Sequence, residues 1–89
     1  MKEKFIVAQA KKAVERDGYD YIVYRDKDGD VSFTRLYDNL NLFDVVSKDD
    51  IVCVVNGVWD RCGVTPYVSY HPNDIDLTIK RNNIKFMQD

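Results

Sequence analysis

The sequence predicts an α+β fold in which an N-terminal amphipathic helix packs on a small, mostly antiparallel sheet of four to five strands. Three observations predict it. Residues 2–17 carry apolar side chains at helical spacing, residues 19–37 contain two β-rich runs around Asp28-Gly29, and residues 51–55 are a continuous β-branched run. The predicted order is α-β-β-short α-β-β-β, and a chain of 89 residues is expected to form a single domain.

The first element is a helix over residues 2–17. Its apolar stripe follows the i, i+3/i+4, i+7 spacing and consists of Ile6, Val7, Ala10, Ala13 and Val14. Gly18 stands where a glycine commonly ends a helix. Phe5 lies roughly 140° from the centre of the stripe, at about 100° per residue. We expect it either to fold sideways onto a neighbouring element or to be an exposed aromatic in basic surroundings, suited to an acidic partner or to nucleic acid.

The second element is a β-hairpin. A two-residue Asp28-Gly29 loop would place Tyr24 opposite Phe33, and the other cross-strand pairs follow from that register. In this register Tyr21, Val23 and Leu36 share one face of the hairpin. That face is too apolar to be left in water, so we expect later strands or a partner to cover it.

The aspartates of the hairpin loop resemble the start of a calcium-binding loop. An EF-hand loop needs glycine at its sixth position and a carboxylate at its twelfth. Counted from Asp26, Gly29 is at the fourth position and Tyr37 at the twelfth, and strands flank the loop. The sequence therefore predicts a plain hairpin turn and no metal site.

The middle of the chain is expected to contain a short helix and then a buried strand. Residues 42–46 are predicted to be a short helix or turn, capped by Asn39 or Asn41. Residues 47–50 could cap a second helix, but the β-branched run 51–55 favours a central strand that ends at residues 56–57.

The last third of the chain is predicted to be irregular at first and then extended. Pro66 and Pro72 argue against a central strand, so residues 64–70 are at most an edge strand. Ile75, Leu77 and Ile79 alternate with polar residues, which predicts a final strand with one buried face. Residues 84–86 are expected to form a short last strand.

The composition indicates a cytoplasmic protein. No apolar run approaches the roughly 18–20 residues that a membrane span requires, and the charged start is not followed by the apolar core of a signal peptide. Cys53 and Cys62 are then expected to be reduced thiols.

Catalysis and metal binding are poorly supported. A Cys53 or Cys62 thiol could pair with His71 as nucleophile and base, but Cys53 lies in a predicted buried strand and His71 precedes Pro72 in a predicted turn. The three residues also lack the short spacing of a structural zinc site. We expect no enzyme activity, no cofactor and no metal.

Nucleic-acid binding is the alternative function. Basic side chains recur on the helix face and in the tail: Lys4, Lys11, Lys12, Arg16, Lys80, Arg81 and Lys85. If the two groups are adjacent in the fold, they form a modest phosphate-binding surface. A solvated helix face explains the same lysines without any ligand.

Binding to a partner protein is the function that the sequence favours. Tryptophan, tyrosine and arginine dominate interface hot spots, and they are concentrated in one Pro/Gly-punctuated segment. The predicted partner-binding residues are Trp59, Asp60, Arg61, Tyr67, Tyr70 and His71. Trp59 could equally be a core residue that closes the end of the sheet. An acidic rim at Asp44, Asp49, Asp50 and Asp60 would steer the chain toward a basic partner surface.

We therefore predict a small non-catalytic protein that engages and modulates or inhibits a macromolecular partner, in the first place a protein. Such stand-alone domains are common among phage and mobile-element proteins that block host machinery, including anti-CRISPR proteins.

Overall fold

Residues 2–37, 41–42 and 48–86 are described in the computed structural model of the chain. They confirm the predicted α+β fold, with the N-terminal helix and the antiparallel sheet in place. In chain order the elements are α1 (Lys2–Asp17), β1 (Tyr21–Arg25), β2 (Val31–Arg35), β3 (Asn41–Leu42), a 3-10 turn (Lys48–Asp50), β4 (Ile51–Asp60), β5 (Gly63–Ser69), α2 (Pro72–Arg81) and β6 (Lys85–Phe86).

The main sheet has four antiparallel strands in the order β2-β1-β4-β5, and both of its faces are covered. On one face the stripe of α1 packs on apolar side chains of all four strands. On the other face Ile75 of α2 packs against Ile22, Leu36 and Val54. β3 and β6 form a separate parallel pair.

The hairpin register differs by one residue from the predicted register. Val23 pairs with Phe33 and Tyr24 with Ser32, because the loop has three central residues instead of two. Gly29 alone has a positive φ there, +83°, and its N–H donates to Asp26 O at 3.0 Å. These features define a type I turn followed by a left-handed glycine, the usual three-residue hairpin loop.

The shifted register changes which side chains share a face. Tyr21 and Val23 contact α1, whereas Leu36 lies on the opposite face with Ile22. The prediction that Tyr21, Val23 and Leu36 share one apolar face was therefore wrong. α1 covers the first two residues and α2 the third, so no partner is needed to bury them.

The predicted final strand over residues 75–79 is a helix. Pro72 stands in the first turn of α2, and His71 caps it, accepting a hydrogen bond from the Asn73 N–H at its Nδ1 (3.1 Å). Thr78 is buried, and Leu77 is exposed. The apolar alternation was misleading because α2 buries residues three and four apart along its inner face.

Two other predictions concern the middle of the chain. The central strand over residues 51–55 is confirmed, but it continues to Asp60 and pairs with β5 despite Pro66. This proline is tolerated because β5 is an edge strand. Of the short helix or turn predicted over residues 42–46, Leu42 belongs to β3 and residues 43–46 lie outside the described residues. No helix in the described part of the chain is long and apolar enough to cross a membrane.

Candidate functional site

The structure separates the six residues that the sequence grouped as a partner-binding segment. Trp59, Asp60 and Arg61 lie at the turn between β4 and β5. Tyr70 and His71 follow the other end of β5, about 20 Å away across the seven residues of that extended strand. These residues therefore belong to at least two different surfaces.

Tyr67 lies on yet another part of the molecule. It pairs with Asn56 across β4 and β5, and Asn56 donates a hydrogen bond to Thr78 of α2 at 3.0 Å. Tyr67 consequently projects from the α2 face of the sheet. Trp59, three residues beyond Asn56, projects from the α1 face.

Trp59 is not a core residue, because 66% of it is exposed. Its indole ring lies against Gly18, the residue that ends α1. Gly57 is equally close to that segment, since a side-chain carbon there would stand 2.8 Å from the Gly18 carbonyl oxygen. Two glycines thus let the helix end, the strand and the indole pack closely together.

A stacked cation lies at the same end of the sheet. The guanidinium carbon of Arg35 is 4.7 Å from the centre of the Tyr19 ring and 5.8 Å from that of Tyr37. Both tyrosines are half exposed. Arg35 therefore makes cation–π contacts with two aromatic rings, each of which stabilises by about 0.5–1 kcal/mol at exposed sites. We call Trp59, Tyr19, Arg35 and Tyr37 the Trp59 surface.

Asp17 fixes the start of this surface. Its carboxylate accepts hydrogen bonds from the Tyr19 N–H at 3.0 Å and from the Tyr21 hydroxyl at 2.6 Å. Burial, together with the Asp17 carboxylate, raises the pKa of Tyr21, so this hydroxyl remains a donor at neutral pH. Tyr19 is thereby held in a defined position directly after α1.

Asp20 joins the same region to α2. Its side chain accepts from the Gly57 N–H at 3.2 Å, from Arg81 at 2.6 Å and from Asn82 at 3.1 Å. Burial opposes ionisation of this carboxyl, but the three hydrogen bonds and the Arg81 charge outweigh it, and the pKa of Asp20 is lowered. The Asp20 carboxylate thus links the segment before β1 to β4 and to the end of α2.

Three members of the Trp59 surface were missed in the sequence. Tyr19, Arg35 and Tyr37 are far from Trp59 along the chain, and only the strand order β2-β1-β4 brings them to one end of the sheet. The signal that could have found them is the pairing of residues 19–21 with residues 35–37, which the correct hairpin register supplies.

The thiol–histidine pair that the sequence allows is not favoured by the environment of Cys53. Burial, with a smaller effect of Glu3, raises the pKa of the Cys53 thiol to about 11, although the Tyr70 hydroxyl donates a hydrogen bond to it. A reactive cysteine needs the opposite shift. His71 uses its Nδ1 to cap α2, and Cys62 is exposed at the β4–β5 turn.

The basic residues do not form one patch. Lys4, Lys11, Lys12 and Arg16 are exposed on α1, whereas Lys80 and Arg81 are exposed on α2 across the sheet, where Arg81 is paired with Asp20. The side chain of Lys85 lies outside the described residues. The helix and tail cations would form one phosphate-binding surface only if they were adjacent, and those that the structure describes lie on opposite faces of the sheet.

Two of the grooves on the described surface border exposed basic or aromatic side chains. One, of about 320 Å³, runs between α1 and β2 and is lined by Gln9, Lys12, Ala13, Arg16 and Phe33. The other, of about 430 Å³, lies beyond the opposite end of β5 and is lined by Asp49, Ile51, Val52, Tyr70, Pro72, Ile75 and Asp76.

Phe5 is 63% exposed and so does not fold onto a neighbouring element.

No protein-family model matches the chain, and neither a curated protein nor a solved structure matches it.

Proposed function

We propose that this chain is a small, non-catalytic cytoplasmic protein that binds another protein through the Trp59 surface. One observation carries the proposal: an indole that is 66% exposed is held on a strand against Gly18, at the same end of the sheet as the stacked Arg35. Tryptophan, tyrosine and arginine are the residue types that contribute most to interface affinity.

The rigidity of the surface supports this proposal. Ordering a side chain at an interface costs about 0.5–1.5 kcal/mol. Arg35 already lies over two rings, and Trp59 already rests against Gly18 just after α1. Part of the ordering cost is therefore met before any partner binds. A surface ordered in this way is suited to a preformed interface of standard size, about 800 Å² on each partner.

The proposal extends to inhibition. A binding protein without catalytic groups acts on its partner by covering a site or by holding one conformation. Small inhibitors of host machinery encoded by phages and mobile elements, among them anti-CRISPR proteins, work in this way, and we include the chain in that functional class. Asp60 and Arg61, exposed beside Trp59, would lie at the rim of the interface.

The test is a double variant, Trp59→Ala with Tyr37→Ala, compared with the wild type. Partners captured from lysate by the wild type are identified by mass spectrometry, purified and titrated against both proteins. Loss of one hot-spot residue typically costs about 2–4 kcal/mol, so we expect affinity to fall by roughly 30-fold or more.

The matched control is Tyr67→Ala, since Tyr67 is 58% exposed on the α2 face. Its affinity should equal that of the wild type, and all three proteins should melt within a few degrees of one another. A double variant that keeps full affinity would show that the Trp59 surface is not the interface.

Nucleic-acid binding through α1 is the second candidate. The observation that favours it is Phe5, a 63% exposed aromatic on the same helix as the exposed Lys4, Lys11 and Lys12. Lys11→Glu with Lys12→Glu should then weaken binding to a fluorescent oligonucleotide, and the loss should shrink as salt rises. No change of anisotropy for the wild type at low salt would end this candidate.

A further inference from the structure

The outer edge of β2 is the starting point. β2 pairs with β1 and with no other strand of the described residues. The register is uniform along the whole hairpin, and two hydrogen bonds fix its phase: Asp26 N–H to Asp30 O at 2.8 Å and Leu36 N–H to Asp20 O at 2.8 Å. Bonded and non-bonded pairs alternate in an antiparallel ladder, so the bonded residues of β2 are the even-numbered ones.

The odd-numbered residues consequently turn their backbone away from β1. The N–H and C=O groups of Val31, Phe33 and Arg35 point outward from the sheet, and the side chains of these residues lie on the α1 face. This edge presents alternating donors and acceptors, which is the pattern that an added strand requires.

The groove of about 320 Å³ lies on the α1 face, where Phe33 of this edge meets α1. Lys12 and Arg16, both exposed, line it together with Phe33. A strand added to β2 would lie about 4.8 Å from it. Every second side chain of the added strand would then point toward the two cations of α1.

We propose that the outer edge of β2 receives an extended acidic segment of the partner protein as a fifth strand. Backbone hydrogen bonds to Val31, Phe33 and Arg35 would hold the segment, and carboxylates at every second position would pair with Lys12 and Arg16. This inference rests on the proposed function, because it names the kind of partner segment that the protein recognises.

Two other occupants fit the edge less well. A second copy of the chain, paired edge to edge, would bring its own Lys12 and Arg16 toward these same residues, and like charges repel. The phosphates of a nucleic acid would lie beside the outward carbonyl oxygens of β2, which is unfavourable because both are negative. A peptide strand instead pairs with the N–H and the C=O groups of the edge.

The experiment uses a displayed library of random 12-residue peptides. Peptides that bind a Lys12→Glu/Arg16→Glu variant are removed first, and the remaining peptides are selected for binding to the wild-type protein. We expect the enriched peptides to carry Asp or Glu at alternate positions and no proline between them. A synthetic representative should bind the charge-reversed variant at least 10-fold more weakly. The matched control, Lys4→Glu/Lys11→Glu, changes two lysines outside the groove lining and should bind within about twofold of the wild type.

Amide hydrogen exchange locates the bound peptide. The amides of Phe33 and Arg35 point outward and should become protected on binding. Those of Ser32 and Thr34, bonded to β1 already, should change little. Protection that appears elsewhere, enriched peptides without alternating acids, or equal affinity for the charge-reversed variant would each overturn the proposal. The proposal would also be overturned if a twelve-nucleotide deoxythymidine strand protected the Phe33 and Arg35 amides and no peptide did.

The two proposals can fail separately. Purified partner is titrated against Lys12→Glu/Arg16→Glu and against Trp59→Ala/Tyr37→Ala. If only the second variant loses affinity, the edge is not used and the proposed function stands. If only the first loses affinity, the partner binds at the edge and the Trp59 surface is not the interface.

Discussion

The indole of Trp59 lies directly over Gly18. A side-chain carbon at position 18 would stand 3.0 Å from Cε2 and 3.2 Å from Cη2 of the ring. Gly18 also has a φ of +77°, a left-handed conformation that side chains rarely adopt. One glycine therefore ends α1 and leaves the space that an exposed tryptophan occupies, so the helix end and the candidate interface depend on the same residue.

Gly18→Ala should be destabilising for two reasons that a double-mutant cycle can separate. The left-handed backbone costs roughly 1–2 kcal/mol for alanine, and the new methyl group must displace the Trp59 ring. We expect a loss of about 2–3 kcal/mol in the wild type but only the backbone cost of about 1–2 kcal/mol in a Trp59→Ala background, measured by urea unfolding. The difference is the coupling between the two sites. Strictly additive losses would contradict the contact between Gly18 and Trp59.

Asp20→Asn should reduce the acid sensitivity of the fold. The pKa of Asp20 is lowered in the folded protein from 3.8, so the unfolded chain takes up this proton first as the pH falls. The stability that the carboxylate contributes is fully present above pH 3.8 and is lost as the pH falls through the lower, folded pKa.

At pH 7 we expect Asp20→Asn to unfold at a lower urea concentration than the wild type. Its free energy of unfolding should be about 1–2 kcal/mol smaller, because the hydrogen bonds to the charged carboxylate are weakened. As the pH falls below about 4, its stability should decrease less steeply than that of the wild type. Asp28→Asn, an exposed substitution in the hairpin loop, serves as the control and should follow the wild-type curve. Identical slopes for Asp20→Asn and the wild type would contradict the shift.

The two cysteines should differ sharply toward a thiol reagent. Cys62 is exposed, whereas Cys53 is fully buried and its pKa is raised to about 11. We expect one thiol to react within minutes at pH 8 and the second only when urea unfolds the protein. Cys62→Ser should abolish the fast phase alone. A second fast thiol in native protein would show that the β1–β4 core opens readily.

The presence of the hairpin could be predicted from the sequence, whereas its strand register could not. Its existence follows from Asp28-Gly29 between two β-rich runs, but loops of two and of three residues both use a glycine with positive φ. A shift of one residue then exchanges the faces on which Phe33 and Leu36 lie. The sequence predicts the element, and only the packing of α1 and α2 on opposite faces selects the register.

The helical state of α2 and the make-up of the Trp59 surface also depend on contacts between residues that are distant in the sequence. Pro72 and the acidic first turn are helix-start signals, but alternating Ile75, Leu77 and Ile79 fit a strand as well, because a buried Thr78 counts as polar in any pattern. Arg35 and Tyr37 are two residues apart along the chain, but Tyr19 lies beside Arg35 only through strand pairing. Residues near Trp59 in sequence are predictable neighbours, whereas neighbours across a sheet depend on strand order.

Asp26 should be the aspartate of the hairpin loop that matters for stability. Its Oδ1 accepts hydrogen bonds from the N–H groups of Asp28 at 2.9 Å and Asp30 at 3.0 Å. Asp26→Ala removes both of these hydrogen bonds and should lower the free energy of unfolding, measured with urea, by about 1–2 kcal/mol. Asp26→Asn keeps an acceptor oxygen and should recover most of that loss, and Asp28→Ala should change stability by less than about 0.5 kcal/mol. If Asp28→Ala were instead the more harmful substitution, the three-residue loop and the register that it sets would be wrong.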